Sequence, residues 1–222
     1  MKLGVLFSGG KDSTLAAWIA KREGYEISCL ISIISENKES YMFHTPSISK
    51  TKMQAQAMNI PLIVQKTKGE KEIELKDLEK AIKKAKEKYK ISGILTGAVE
   101  SVYQASRVQK ICSKLNLECF NPLWLMDQFE LLNDLLKNKF DVIITGVFAY
   151  PLDSLWLGKV INKKSIDEVQ ILNEEYKINP AGEGGEFETF VLNCPLFKRK
   201  LKIRSYKDFG EGNSWTREVE VG

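Results

Sequence analysis

Residues 3–22 read LGVLFSGGKDSTLAAWIAKR, and the predicted architecture is organised around them. The continuous apolar run at the start is typical of a strand buried on both faces. Gly9 and Gly10 then predict a tight turn, because glycine adopts backbone angles that are closed to other residues. Asp12 or Ser13 is expected to cap a helix whose apolar residues recur at helical spacing. We therefore predict a strand, a glycine turn and a helix in direct succession.

This succession predicts a phosphate-binding site. Unpaired N–H groups and the positive end of the helix dipole converge where a helix follows a glycine turn. Lys11 adds a mobile positive charge, and the hydroxyls of Ser8 and Ser13 add donors. The motif is not the P-loop, which requires G-x-x-x-x-G-K-[ST]. SGGKDS instead resembles the SGGxDS loop of the N-type ATP pyrophosphatases, which include GMP synthetase and asparagine synthetase. The resemblance implies that the loop grips the β- and γ-phosphates of ATP.

Composition sets the broad class of protein. The chain has 222 residues, of which 43% are hydrophobic and 28% charged, as in a soluble globular protein. We expect a cytoplasmic protein, because the apolar runs are too short to cross a bilayer and the start shows no signal-peptide pattern. A net charge of +4 is too weak to indicate nucleic acid. The cysteines lack disulfide and zinc spacing and are expected to be small buried side chains: Cys29, Cys112, Cys119 and Cys194.

Apolar stretches that read as strands alternate with stretches of helical periodicity, and this alternation predicts a parallel sheet. Further buried strands are predicted at residues 25–34 and 61–67, within ISGILTGAVES and at LECFNPLW, with helices between them. We predict a Rossmann-like α/β domain of the HUP class over residues 1–125. Residues 126–222 are expected to form a smaller α+β domain, turn-rich and β-like towards an edge or hairpin pair of strands at its end.

Residues that follow the strands are the first candidates for the site, because ligands bind at the carboxyl ends of parallel strands. Ser32 lies at the end of the second predicted strand, where a nucleotide base could lie. His44 precedes a helix on the same side of the sheet, although a lone histidine is more often a packed or surface residue. Gly97 permits close approach of a ligand. We expect Ser32, His44 and Gly97 to help hold the nucleotide.

The loop SVYQASR follows the fourth predicted strand and brings three polar side chains to the same edge. Tyr103 and Gln104 are expected to contact the substrate. Arg107 could pair bidentately with a phosphate, or it could be an ordinary arginine at a helix start. Both interpretations of Arg107 stay open.

A second group of polar residues lies in residues 179–197, NPAGEGGEFETFVLNCPLF. If EFETFVL is a strand, Glu186 and Glu188 point to one face, because side chains alternate along a strand. Two like charges so close should repel unless a cation lies between them. With Glu183, these residues form either an acidic turn before an edge strand or a pocket for a cationic substrate, ammonium or Mg²⁺. Phe187 could lend its ring to such a cation.

Together, SGGKDS, TGAVESVYQASR and AGEGGEFETFVLNCPLF resemble the diphthine–ammonia ligase family over essentially the whole chain. The resemblance implies ATP-dependent amidation of diphthine on translation elongation factor 2, through an acyl-adenylate, with AMP and pyrophosphate released. It implies a pyrophosphate-holding loop at Ser8, Gly9, Gly10, Lys11, Asp12 and Ser13, with Mg²⁺ sharing the phosphate load and Asp12 as its ligand. The residues assigned to catalysis are Lys11, Arg107, Glu183, Glu186 and Glu188. Those assigned to the substrate are Tyr103, Gln104, Gly184, Gly185, Glu186 and Thr189.

Two rival functions stay open at this point. One is a tRNA-modifying pyrophosphatase, either a thiolase or a lysidine-type ligase. The cysteine pair that thiolases use is not visible, and the mildly basic net charge is weak support for tRNA binding. The other is a non-catalytic ATP-binding module, against which the glutamates argue. Residue 2 is lysine and no glutaminase module fits the length, so free ammonium is the expected nitrogen source. No membrane or direct nucleic-acid partner is expected, and the oligomeric state stays open, a homodimer being one option.

Overall fold

The computed structural model of the chain describes residues 1–37, 50–70 and 73–222. In the first half, strands and helices alternate as the sequence predicts. The elements are β1 (Lys2–Leu6), α1 (Lys11–Arg22), β2 (Glu26–Ser35), α2 (Thr51–Met58), β3 (Leu62–Thr67), α3 (Ile73–Tyr89), β4 (Gly93–Leu95), α4 (Val102–Lys114) and β5 (Glu118–Phe120).

The five strands of this half form one parallel sheet in the order β3-β2-β1-β4-β5. The order reverses between β1 and β4, so the connections leaving these two neighbours run to opposite sides and open a crevice at their carboxyl ends. The glycine turn follows β1, and Gly97 lies just after β4. The predicted Rossmann-like class is confirmed, and the topology brings both segments to one crevice.

The second half forms an antiparallel sheet with two helices. Its elements are α5 (Gln128–Lys137), β6 (Asp141–Val147), α6 (Lys163–Tyr176), β7 (Phe187–Asn193), β8 (Ile203–Glu211) and β9 (Ser214–Val221). The strand order is β7-β6-β9-β8, and β8 and β9 form the hairpin predicted at the end of the chain.

Helix α6 corrects the prediction that the chain is turn-rich and β-like after β6. Asn162 and Ser165 form a capping box at its start: the Ser165 N–H donates to Asn162 Oδ1 at 3.0 Å, and the Asn162 N–H donates to Ser165 Oγ at 2.9 Å. Ile166 and Val169 are then buried at helical spacing. A cap followed by an apolar stripe specifies a helix, and both signals were present in the sequence.

The two sheets share one apolar core. Its largest cluster joins Leu3 and Leu15 of the first half to Val142, Ile161 and Val191 of the second. All five side chains are buried. Because apolar burial is the main favourable term in folding, each half stabilises the other. The predicted division into two domains, residues 1–125 and 126–222, therefore stays a prediction.

The cysteines and the helices bear on two expectations drawn from composition. The four cysteines are free thiols; three are buried, as predicted, and Cys119 is half-buried. Burial raises the pKa of the Cys29 thiol to about 12, which makes it an inert apolar side chain. Among the described residues, no helix combines the length and the apolar character that crossing a membrane requires.

Candidate active site

The glycine turn between β1 and α1 has the tight geometry that its sequence predicts. Gly9 has a φ of +83°, a conformation that side chains rarely adopt. A Cβ at Gly9 would also clash with Gln54 Oε1, so the Gln54 side chain would have to move. The backbone angle therefore favours glycine at this position, and the close neighbour adds to that preference.

The start of helix α1 differs from the prediction that Asp12 or Ser13 caps it. Gly10 is the N-cap and the helix begins at Lys11, without a side-chain cap from within the helix. The Lys11 N–H instead donates to the hydroxyl of Thr189, 178 residues further along the chain, at 3.0 Å. The hydroxyl of Thr14 donates back to the Gly10 carbonyl at 2.8 Å. A tertiary contact supplies the cap, which local propensity could not reveal.

Strand β7 is hydrogen-bonded directly to the glycine turn. The Val191 N–H donates to the Gly9 carbonyl at 3.1 Å. Gln54, fully buried on α2, donates through Nε2 to the carbonyls of Gly9 and Val191, both at 2.9 Å. The antiparallel sheet thus contacts the glycine turn directly. Gln54 was missed by the sequence reasoning, since a single glutamine on an apolar helix face carries no local pattern.

A cavity of about 430 Å³ opens between the glycine turn, the end of β4, the start of α4 and the loop before β7. This volume falls within the range of small-molecule sites. The predicted site residues in its lining are Ser8, Gly10, Lys11, Asp12, Ser13, Gly97, Gln104, Glu183, Gly184, Gly185, Glu188 and Thr189.

Lys11 is the buried cation of this cavity, with 3% of its surface exposed. Its Nζ lies 3.0 Å from Asp12 Oδ2 and 5.6 Å from the centre of the Phe187 ring. The ring considered for a substrate cation therefore faces Lys11. Asp12 Oδ1 is buried and has no hydrogen-bond partner among the described residues. An anionic ligand could pair with the Lys11 ammonium group, and a cation could bind the Asp12 Oδ1 atom.

Two residues that were predicted to hold the nucleotide, Gly97 and Ser32, make contacts within the protein. A Cβ at Gly97 would lie 2.6 Å from the Ser13 nitrogen, so this glycine lets the start of α1 approach the end of β4. Ser32 is fully buried and donates to the Phe7 carbonyl at 2.7 Å, whereas its neighbours Ile31 and Ile33 line the cavity. His44 lies outside the described residues.

The residues predicted on α4 occupy different positions. Gln104 lines the cavity, and Tyr103 and Arg107 are not part of its lining. The Arg107 guanidinium stacks on the Tyr103 ring, with Cζ 3.4 Å from the ring centre. In this arrangement Arg107 is held beside the cavity rather than in its wall.

Glu186 closes the loop before β7. Its Oε1 accepts hydrogen bonds from the Asn179 backbone N–H at 3.1 Å and the Asn179 side-chain amide at 2.8 Å, and its Oε2 accepts from the Gly184 N–H at 2.9 Å. The strand begins one residue later, at Phe187. Glu186 thus lies at the end of the loop, where the donors of that loop surround its charge, and the expectation that it shares a strand face with Glu188 stays a prediction.

Gln128, on α5, holds the same loop from the other side and was also missed by the sequence reasoning. Its Oε1 accepts from the Ala181 N–H at 2.9 Å, and its Nε2 lies 3.3 Å from Asn179 Oδ1 and 3.2 Å from Glu100 Oε1. Glu100 belongs to the segment after β4, so Gln128 links that segment to the loop before β7. Nothing in the sequence around residue 128 indicates this role.

Glu183 and Glu188 are the acidic groups with strongly shifted protonation. Burial, followed by the nearby Asp12 carboxylate, raises the pKa of Glu183 to about 8. Burial raises the pKa of Glu188 to about 8, although the Lys11 charge acts in the opposite direction. Glu188 Oε2 is buried and has no hydrogen-bond partner among the described residues. Carboxyl groups with raised pKa values in a cavity are typical of sites that bind cations or move protons.

The fold and the site define the class of protein. A parallel α/β sheet with a PP-loop at its switch point, facing an acidic loop from a second sheet, is a nucleotide-binding α/β protein of the PP-loop type. The chain belongs to the diphthamide synthase family: the family model for the diphthamide synthase N-terminal domain matches residues 1–119, and that for the C-terminal domain matches residues 127–220.

Relatives with known names agree with this assignment. The chain is 33% identical to the diphthine–ammonia ligases of Rattus norvegicus and Homo sapiens, over 91% and 92% of its length and 83% and 84% of theirs. A solved structure described as a predicted subunit of a tRNA methyltransferase from Methanocaldococcus jannaschii is 18% identical, with a TM-score of 0.44 over 90% of this chain and 99% of that one. That likeness is too distant to bear on function.

Proposed function

We propose that this chain is a diphthine–ammonia ligase that amidates diphthine on translation elongation factor 2 and consumes ATP. The observation that carries the proposal is a single cavity with two chemically opposite sides. Lys11 and the N-terminus of α1 form a cationic side, and Glu183 and Glu188 form an acidic side. Diphthine bears a carboxylate and a trimethylammonium group, so a reaction joining it to ATP needs both sides.

The cationic side suits the β- and γ-phosphates. Ser8, Gly10 and Ser13 line the cavity beside Lys11, so hydroxyls, backbone N–H groups and one ammonium group converge. The unpartnered Asp12 Oδ1 fits a divalent cation, and Mg²⁺ there would supply charge neutralisation at the phosphates. Catalysis on this side consists of positioning and charge stabilisation. Arg107 could add a second positive charge at the phosphates if a bound nucleotide displaced its guanidinium from the Tyr103 ring.

The proposed reaction has two steps. The diphthine carboxylate attacks the α-phosphorus of ATP, a C–O–P linkage forms, and the α–β P–O bond breaks to release pyrophosphate. Ammonia then attacks the acyl carbon, the C–N bond forms, and the bond to AMP breaks. Gln104, Gly184 and Gly185 line the cavity where the diphthine side chain would enter. Thr189 lines it too and accepts the hydrogen bond of the Lys11 N–H.

Because translation takes place in the cytoplasm, we propose that location for this protein as well.

Incubation with ATP, Mg²⁺, ammonium and diphthine-bearing elongation factor 2 tests this function. We expect AMP and pyrophosphate in equal amounts and a peptide mass showing that the carboxylate has become an amide. Lys11→Gln should slow AMP formation roughly 100-fold, as loss of one charge-stabilising group does. Lys21→Gln, an exposed lysine at the far end of the same helix, is the matched control. AMP without peptide change would indicate another carboxylate or carbonyl substrate, and ATP binding without AMP would indicate a sensor.

A further inference from the structure

The three glutamates of the GEGGEFET segment have different hydrogen-bonding environments. Both carboxylate oxygens of Glu186 accept hydrogen bonds from Asn179 and Gly184. These bonds close the loop that carries Glu183, and Glu186 does not line the cavity. Glu186 is therefore a positioning residue, because its acceptor positions are already used within the loop.

Glu188 has the opposite environment. It lies on β7, next to the residue that caps α1, and it lines the cavity. Its Oε2 is buried, and no donor among the described residues reaches it. A buried acceptor without a donor is costly, and because Glu188 lines the cavity, a ligand in the cavity could supply that donor. Lys11 is the nearby charge that lowers its pKa, while Lys11 Nζ itself bonds Asp12. The ligand that completes Glu188 must bring its own N–H or O–H donor.

We propose that Glu188 binds the ammonium ion and accepts its proton, and that Glu183 faces the trimethylammonium group of diphthine. This inference rests on the proposed function and assigns separate cations to separate glutamates. Ammonium carries N–H donors and is small enough for a buried carboxylate. A trimethylammonium group has no N–H, so it cannot satisfy Glu188 Oε2 by hydrogen bonding. It interacts through charge and bulk alone.

The position of Glu183 suits that second cation. Glu183 precedes Gly184 and Gly185, which are exposed, so it lies where the cavity meets solvent. Asp12 and Glu100 add negative charge near it. A partly exposed wall with several carboxyl groups accommodates a bulky cation that keeps its charge throughout the reaction, and that charge would favour the ionised form of Glu183.

Amide formation from ammonium needs two proton transfers. One N–H bond of ammonium breaks and its proton passes to the Glu188 carboxylate. The freed nitrogen lone pair forms the C–N bond with the acyl carbon, and the acyl C–O bond breaks with its electron pair on the AMP phosphate. A second proton leaves the nitrogen for that phosphate, and the neutral amide remains.

Hydroxylamine separates this role from a structural one, because it is mostly unprotonated at neutral pH and needs no proton acceptor before attack. We expect Glu188→Gln to lose roughly 100-fold in amide formation from ammonium but less than about 5-fold in hydroxamate formation from hydroxylamine. Glu188→Asp, which keeps a carboxylate, should recover part of the ammonium reaction. Glu186→Gln is the matched control and should lower both reactions by the same factor, since it disturbs the loop rather than the nucleophile.

Thermal melting of each variant checks that it is folded, and ATP–pyrophosphate exchange follows the first step alone. Equal loss with ammonium and hydroxylamine in Glu188→Gln would overturn the assignment of Glu188. If Glu188→Gln does not fold and Glu188→Asp does, the two rates of Glu188→Asp are each compared with wild type. The assignment of Glu188 would be overturned if amide formation from ammonium fell no more than hydroxamate formation from hydroxylamine. A wild-type chain that forms neither amide nor hydroxamate, with or without exchange, would overturn the proposed function itself. Glu183→Gln should raise the KM for the modified factor and leave that for ammonium unchanged; the reverse would overturn the assignment of Glu183.

Discussion

At the scale of single residues, ionisation of the acidic side of the cavity is unfavourable in the ligand-free protein. Glu183 and Glu188 are held where burial opposes their ionisation. A carboxyl group whose pKa is raised on folding binds its proton more tightly in the native state. Its stabilising contribution is complete below its unfolded pKa and is lost as the pH rises through the folded value.

The pH dependence of stability tests this at Glu188. The side chain has an ordinary pKa of 4.5 and a folded pKa of about 8, so the wild-type protein loses this contribution between these values. Glu188→Gln cannot ionise, and the ligand-free variant should gain about 2 kcal/mol relative to wild type between pH 5 and pH 8.5, allowing for partial screening. Urea unfolding at each pH measures the difference. Glu87→Gln, exposed on α3, should show no such trend; a flat difference for Glu188→Gln would contradict the argument.

At the scale of elements, strand β7 and helix α1 are joined at the PP-loop. Thr189 caps the helix from another sheet, and Gln54 holds the loop and the strand together. These contacts replace the local cap that the sequence suggests. The geometry of the glycine turn therefore depends on the position of β7.

Replacing Thr189 tests this dependence. Thr189→Val keeps the shape of the side chain but leaves the buried Lys11 N–H without an acceptor, which costs about 1–3 kcal/mol. We expect a lower urea midpoint and weaker ATP binding by calorimetry. Thr216→Val, on β9 and outside the cavity lining, makes the same chemical change and should leave ATP binding unaltered. Equal effects of the two variants would exclude the capping role.

Helix α6 gives a second prediction at this scale. Asn162→Ala removes the capping box and should destabilise the protein by about 1 kcal/mol. Lys164→Ala, exposed on the first turn, should stay within about 0.5 kcal/mol of wild type. Urea unfolding compares the two; a neutral Asn162→Ala would mean that packing of Ile166 and Val169 alone specifies the helix.

The elements also show what a sequence can predict. The parallel strands, the PP-loop and the final hairpin follow from periodicity and glycine chemistry, which are local. Gln54, Gln128 and Thr189 act through partners distant in the chain, so no local pattern marks their contacts. Glu186 and Glu188 are alike in sequence and differ only in which donors the folded loop brings to them. Helix α6 is different, since its cap is visible in the sequence, yet the chain after β6 was predicted to be turn-rich and β-like.

At the scale of the whole molecule, the two sheets fold around one core. Leu3 and Leu15 pack in the same cluster as Val142 and Val191, and the cavity is closed only when both sheets are present. Cooperative unfolding is the expected behaviour of such a shared core.

A fragment of residues 1–125 tests this unity. Without the second sheet it exposes apolar side chains of the shared core and lacks the β7 contacts to Gly9 and Lys11. We expect the fragment to lack a cooperative thermal transition and to bind ATP at least about 100-fold more weakly than the full chain, since several positioning contacts are lost together. The full chain should melt in one transition. A fragment that melts cooperatively and binds ATP normally would contradict the shared-core argument.

The bonds between Gly9, Gln54 and Val191 also limit how this chain can recombine with its relatives. A hybrid that exchanges everything after residue 126 would take the two sides of its cavity from different parents. Val191 contributes only backbone groups to these bonds, so a parent that lacks glutamine at residue 54 or threonine at residue 189 should give the weaker hybrid. The pair of sheets is therefore the unit that such an exchange should keep together.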